Sequence, residues 1–353
     1  MLARIIIKLN QGAKNERGYY TDTKYRTFND LMSRNIKKNI KKMEHFTSLS
    51  MVLLEFLPKE IIPEPRELLR IFGRMSVNSF NILDTDMTSL GVGIYLGPSI
   101  LDHSCKPNAT AIFEGTKLLI RTLCDLESLD WSKIFITYID LLKDTKTRRE
   151  ELNQSYFFWC ECERCNTPET IEISAACPNK KCTNPCSPML ENCDKCGEKI
   201  TDEFVDKFNE VCELSLYQLD QMQSTAYASR MCLEKQDGVV HPYNLVAVRT
   251  LENAVAAAVD LERWKEAEIY ASKLIPKYLY YYGNSHPMTA QMYFSWGKLL
   301  SLQKKGLQAL EVVTKAARII EQTFGANHSK VKDEVKPVLD QLVAEYRITN
   351  GCF

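Results

Sequence analysis

Cysteine spacing constrains this chain more than any other feature. Thirteen cysteines occur in 353 residues, and most fall between Cys105 and Cys196. FWCECERC sets Cys160, Cys162 and Cys165 in a C-x-C-x-x-C triplet. Three thiolates leave a tetrahedral zinc site incomplete, because structural zinc takes four ligands almost without exception. The fourth must come from elsewhere, and Cys105, at the end of the strand-like run ILDHSC, is the best-placed candidate. An ion held this way would pin the 160s segment to the strand carrying His103; such sites contribute about 10–16 kcal/mol in small zinc domains. A second set follows in ACPNKKCTNPCSPMLENCDKCGEKI. Cys177 and Cys182 make one knuckle, and Cys193 with Cys196, followed by Gly197, makes the other, as in a small zinc ribbon. Cys186 is either a spare thiol or the replacement for Cys182. Cys124, Cys212, Cys232 and Cys352 stand apart from metal spacing and read as packing residues.

Bulk properties narrow the class. Lys plus Arg and Asp plus Glu both total 45, so no net field recruits nucleic acid or an anionic membrane. The ribbon has few basic residues interleaved with aromatics, so it presents no phosphate-tracking surface. No apolar run reaches the roughly 18–20 residues of a membrane span, and MLARIIIKLNQGAKNERG lacks the features of a secretory signal. An intracellular chain is expected, cytoplasmic or nuclear, where disulfides are rare. Lys37, Lys38, Lys41 and Lys42 in NIKKNIKKMEH suit one solvated helix face.

Texture divides the chain into four parts. Residues 1–75 carry apolar residues at helical intervals, interrupted at Pro58, Pro63 and Pro65. Across 76–150, VNSFNILD, GVGIYLGPSILDHS, NATAIFEGTKLLIRTLCDL and SKIFITYIDLL read as short strands punctuated by glycine and proline. Residues 151–200 follow a helix, TKTRREELNQSY, and contain the cysteine sets. From 201 to 353 the chain is helical and partly repetitive: His241, His286 and His328 recur 45 and then 42 residues apart, with alanines at similar offsets. That is the periodicity of tetratricopeptide-like helix pairs, which can brace a neighbouring domain or bind a protein partner.

VNSF, ILDHSCKPNA, ITYID and YFFWCECERC, taken in order, resemble the SET and MYND domain-containing protein-lysine methyltransferases. The resemblance implies an α+β protein: a partial SET-domain β-fold with a helical insert, a post-SET zinc site and a C-terminal tetratricopeptide-like α-helical domain. It also implies S-adenosylmethionine as methyl donor and a lysine of a histone or another protein as acceptor. By motif position, Asn78, Asp102 and His103 would contact the cofactor, with Ser99 and Leu101 giving neighbouring backbone contacts. Tyr138 would stand at the methyl-transfer channel, Tyr156 and Phe158 would line the cofactor and lysine tunnel, and Cys105, Cys160, Cys162 and Cys165 match the post-SET zinc ligands.

The chemistry explains these residue types. Methyl transfer needs a neutral lysine amine, and deprotonating a lysine of pKa about 10.4 at pH 7 costs roughly 4.6 kcal/mol. A dry aromatic tunnel beside a sulfonium cation lowers that cost by desolvation and like-charge repulsion. Three departures from the family pattern stand out. The glycine-rich G-x-G segment and the MYND finger precede the point where this chain begins, and GVG at Gly91–Gly93 occupies a different position. A shortened form of a longer enzyme, or one without catalysis, is expected on that basis. Asp102 stands where the family has asparagine, and Met32 and Arg34 stand where it has an acid and a His or Asn. The competing reading is a non-catalytic zinc-bound scaffold whose helical repeats hold a protein partner.

Overall fold

Leu2 and Ile6, four residues apart, lie buried on one side of the first helix, α1 (Leu2–Asn10). A short antiparallel ribbon follows, β1 (Gly18–Tyr19) with β2 (Tyr25–Arg26). Helix α2 (Ile40–Phe56) starts at Asn39, whose Oδ1 accepts the Lys42 N–H at 3.0 Å, a standard N-cap. Helix α3 (Pro65–Asn78) begins on a proline, where the missing N–H costs nothing. Phe28, Leu53, Leu68, Ile71 and Phe72 close a core with α1. The computed structural model describes residues 1–34, 36–221 and 226–349. It divides into one unit of residues 1–139 and 147–164 and a second of 140–146 and 165–353.

The strands of the first unit are short and paired in twos among the described residues. β3 (Ser79–Leu83) and β4 (Ser89–Ile94) form an antiparallel hairpin. Its turn is set by Asp84, whose carboxylate accepts the N–H groups of Asp86 and Thr88 at 2.9 and 2.8 Å. β5 (Asp102–His103) runs parallel to β8 (Phe135–Ile136). Between them in sequence, β6 (Ala109–Glu114) and β7 (Lys117–Thr122) make a second hairpin. Leu101, Ala109, Ile134 and Ile136 form the core here. Two sequence expectations are corrected. The run expected to begin a strand at Val77 stays helical through Asn78, because α3 carries its hydrogen bonds to that residue and pairing starts at Ser79. SKIFITYIDLL yields only a two-residue strand, because the Thr137 hydroxyl donates to Ile139 O (2.6 Å) and turns the chain.

Helix α4 (Thr145–Tyr156) precedes the cysteine triplet, and the short α5 (Glu163–Asn166) carries its last member, Cys165. The second unit is built on α6 (Asp202–Asp220), α7 (Ala226–Gln236), α8 (Leu245–Asp260), α9 (Trp264–Tyr281), α10 (Pro287–Leu302), α11 (Gly306–Phe324), a π-helical turn (Lys330–Val335) and α12 (Lys336–Thr349). Short connections make α8 with α9 and α10 with α11 into helical hairpins, as the repeat predicts. Gly297 is required at the second hairpin: a Cβ there would lie 2.4 Å from a Val313 methyl.

The recurring histidines turn out to share one local hydrogen bond near a helix entry; His286 is itself the N-cap of α10, whereas Asn244 rather than His241 caps α8. Nδ1 of His241, His286 and His328 accepts the N–H of Tyr243, Met288 and Lys330 at 3.3, 3.2 and 3.0 Å. All three rings are buried. The repeat in sequence is therefore a repeat of one local hydrogen bond.

The remaining cysteines separate. Cys232 is buried and Cys212 half-buried, but Cys124 is exposed in the turn after β7, so it is not a packing residue. Cys352 lies outside the described residues.

Candidate functional site

The sulfurs of Cys105, Cys160, Cys162 and Cys165 all lie within 4.8 Å of one another, and three of the four residues are buried. Cys105 and Cys160 sulfurs are 4.0 Å apart. Four convergent thiols are a donor set suited to tetrahedral zinc.

His103, two residues before Cys105, connects this cluster to the strands. Its Nδ1 accepts the backbone N–H of Tyr138 at 3.0 Å, and its Nε2 lies 3.2 Å from the Cys105 sulfur. Because Nδ1 is an acceptor, the proton of the neutral ring sits on Nε2 and points at the sulfur. Burial lowers the His103 pKa to about 4, so the ring is neutral at physiological pH. An N–H aimed at a ligand sulfur is the kind of outer-shell contact that orients a metal ligand.

An aromatic group extends from this ring. The centroids of His103 and Tyr138 are 5.3 Å apart, those of Tyr138 and Tyr156 4.9 Å, and those of His103 and Phe158 6.0 Å. The Tyr138 hydroxyl donates to Leu101 O, and the Tyr156 hydroxyl to Tyr138 O at 3.3 Å. Burial, reinforced by the Asp102 carboxylate and by Tyr156, raises the Tyr138 pKa, so its phenol stays protonated. Tyr156 is raised too, by burial first and Glu151 second. Neither phenol is a base at neutral pH; each can donate one hydrogen bond and accept others.

The other sequence-predicted residues occupy different settings. Leu101 is buried, while Asp102 exposes its carboxylate. Ser99, on a short 3-10 turn, donates to Leu96 O at 2.6 Å. The side-chain amide of Asn78 donates to Met32 O and Arg74 O at 2.9 and 2.7 Å.

Three contributors escaped sequence reading. Arg26 donates to Ser99 O at 2.7 Å and steadies the turn before Leu101. Asn108 spans two chain segments, donating to Lys133 O (2.7 Å) and accepting from Phe135 N (2.8 Å), which sets β8 beside β5. Its place in the Pro-Asn turn of CKPNA was the available signal. Lys42, expected on a solvated face, is half-buried instead, with Nζ donating to Ser155 O at 2.7 Å.

The second cysteine set is equally definite. The sulfurs of Cys177, Cys182, Cys193 and Cys196 lie within 4.8 Å of one another. The knuckle at Cys193 is closed by Gly197 N donating to Cys193 O (2.8 Å) and Cys193 N donating to Glu198 O (2.8 Å). Gly197 turns the chain at φ 73°, a left-handed conformation that favours glycine. N–H donors from Cys196 and Lys195 hold the Cys193 thiol well below its usual pKa. Cys186, the alternative to Cys182, is buried, and burial pushes its thiol up to about 12. Its S–H faces Asn184 O at 3.7 Å, which leaves Cys182 in the group of four.

No family model matches the chain. Histone-lysine N-methyltransferase SMYD3 of Mus musculus is 27% identical over 339 residues, covering 94% of this chain and 72% of the relative. Histone-lysine N-methyltransferase ASHR1 of Arabidopsis thaliana is 28% identical over 367 residues, covering 98% and 75%. N-lysine methyltransferase SMYD2 of Rattus norvegicus is 27% identical over 300 residues, covering 80% and 64%. The chain thus combines short strand pairs, two four-cysteine groups suited to zinc and a helical C-terminal part. Over most of its length it is similar to these protein-lysine methyltransferases. Among the described residues, no helix is long and apolar enough to cross a membrane.

Proposed function

We propose that this chain is a protein-lysine N-methyltransferase that uses S-adenosylmethionine and acts on a lysine of a histone or another protein. The carrying observation is the aromatic group itself: His103, Tyr138, Tyr156 and Phe158 within 4.9–6.0 Å of a neighbour, with the Asp102 carboxylate beside Tyr138. Ring faces and a carboxylate are what a sulfonium and a lysine headgroup require of their surroundings. When bound, S-adenosylmethionine supplies an electrophilic methyl group. The chain's own residues do the rest. The rings desolvate a lysine and favour its neutral amine. The Tyr138 phenol, held by its bond to Leu101 O, keeps lone pairs that accept an amine N–H and so aim the nitrogen. His103 ties this wall to Cys105. Zinc at the two cysteine sets would hold both segments in place, with Cys105, Cys160, Cys162 and Cys165 serving one ion and Cys177, Cys182, Cys193 and Cys196 the other.

The test is calorimetric titration of the zinc-loaded chain with S-adenosylmethionine, followed by labelled methyl transfer to core histones and to lysine-containing peptides. Binding that is lost in His103→Ala, together with transfer reduced in Tyr138→Phe, is the expected result. A chain that carries zinc yet neither binds the donor nor transfers methyl sinks the reading and leaves a scaffold.

A further inference from the structure

The chain at the C-terminus of α4 carries Tyr156 and Phe158, and its geometry is unusual. Phe157 N donates to Asn153 O at 3.1 Å, and Phe157 itself has φ 62°. This is the single-bond left-handed helix stop that glycine normally provides. A bulky side chain at positive φ is strained and persists only where its surroundings impose it.

Helix α2 imposes it. Two helix-end carbonyls, those of Gln154 and Ser155, lack partners within α4 itself by virtue of their position. Lys42 Nζ donates to Ser155 O at 2.7 Å, and the amide of Asn39 faces Gln154 O at 3.5 Å. The same ammonium lies 4.6 Å from the centroid of the Phe157 ring, and that ring packs on the core of Leu53, Leu57 and Phe72. A cation at a helix C-terminus is favourable in itself, and over an aromatic face it is held a second time. The residues on either side of Phe157 are Tyr156, whose ring lies tilted 4.9 Å from that of Tyr138, and Phe158, whose ring lies tilted 6.0 Å from that of His103.

We infer that Lys42 is a positioning residue for methyl transfer: as a cap supplied by α2, it holds Phe157 in its left-handed turn and thereby fixes Tyr156 and Phe158 against Tyr138 and His103. The inference rests on the proposed function for its catalytic consequence but not for its structural one. Lys42 is half-buried, as a cap engaged inside the fold requires.

The experiment compares Lys42→Met, which keeps length and loses the ammonium, with Lys42→Arg, using hydrogen exchange of the zinc-loaded chain. Expected for Lys42→Met is exchange at least about tenfold faster at residues 156–160, with β6 and β7 and the C-terminal helices unchanged. Lys42→Arg restores protection. Where wild-type transfers methyl, kcat falls by roughly a hundredfold in Lys42→Met, because a displacement near 1 Å has that effect, and recovers in Lys42→Arg. If Lys42→Met does not accumulate folded, Lys42→Gln is read in the same way. Unchanged protection at 156–160, equal loosening of β6 and β7, or no rescue by arginine overturns the inference. Loss of donor binding by wild-type instead overturns the proposed function and leaves the exchange result standing.

Discussion

His103 and Tyr138 are joined through one imidazole: Nδ1 takes the Tyr138 backbone N–H at 3.0 Å while Nε2 faces the Cys105 sulfur at 3.2 Å. The ring thus couples the aromatic wall to the metal-competent cluster. His103→Ala leaves the half-buried N–H unpaired, which costs about 1–3 kcal/mol, and removes the outer-shell donor to Cys105. Zinc affinity at that site should fall about 10–100-fold, measured by competition with a chromogenic chelator. Unchanged affinity would refute the coupling.

Metal stoichiometry gives a sharper outcome. Native mass spectrometry should find two zinc ions per chain, one fewer in Cys105→Ser and one fewer in Cys193→Ser. Cys186→Ser should retain both, since its thiol faces Asn184 O and Cys182 completes the second group. A zinc lost on Cys186→Ser would reverse that assignment.

Glu252 makes the helical unit sensitive to pH. Its carboxylate accepts the Tyr278 hydroxyl at 2.5 Å, and burial raises its pKa from 4.5 to about 7, with Asp140 adding to the shift and Arg249 opposing it. The folded state therefore favours the protonated acid. Its contribution is full below about pH 4.5 and is lost as pH rises through about 7. Melting followed by circular dichroism should show wild-type losing Tm between pH 5 and pH 8 relative to Glu252→Gln. Parallel curves for the two proteins would be the contrary result.

His286 shows what the histidine repeat does. It caps α10 through Nδ1 and stacks on Tyr282 with centroids 4.9 Å apart. His286→Ala should destabilise by about 0.5–2 kcal/mol through the lost cap, with further loss from the vacated ring space. His286→Asn keeps an acceptor at the cap and should recover the first part. Urea midpoints would measure both, and an asparagine no better than alanine would argue against the cap.

Much of this was legible before folding, and the limits are instructive. Helices α1, α2 and α3 announce themselves through apolar spacing and, for α3, an initiating proline. The knuckle CDKCG carries its own turn in Gly197. Sequence began the strand two residues early, at Val77, because N-S-F lies where a helix hands over to a strand, and local propensity does not say which hydrogen-bond ladder ends last. It misjudged Lys42 because four lysines at helical spacing look solvated unless the neighbour is known. That neighbour, Ser155, is 113 residues away.

By itself the sequence determined the pairs whose geometry is settled within a few residues: C-x-x-C knuckles, histidine and asparagine caps, the Asp84 turn and the helical hairpins. Spacing also pointed to Cys105 as the fourth thiol, but the tertiary structure decided that it reaches the triplet, chose Cys182 over Cys186, and drew His103, Tyr138, Tyr156 and Phe158 together. The physical reason is one of range. Short spacings are dictated by backbone dimensions and hydrogen bonding along the chain, whereas contacts between distant segments depend on how buried side chains fill a shared core, where an ångström decides whether two groups touch.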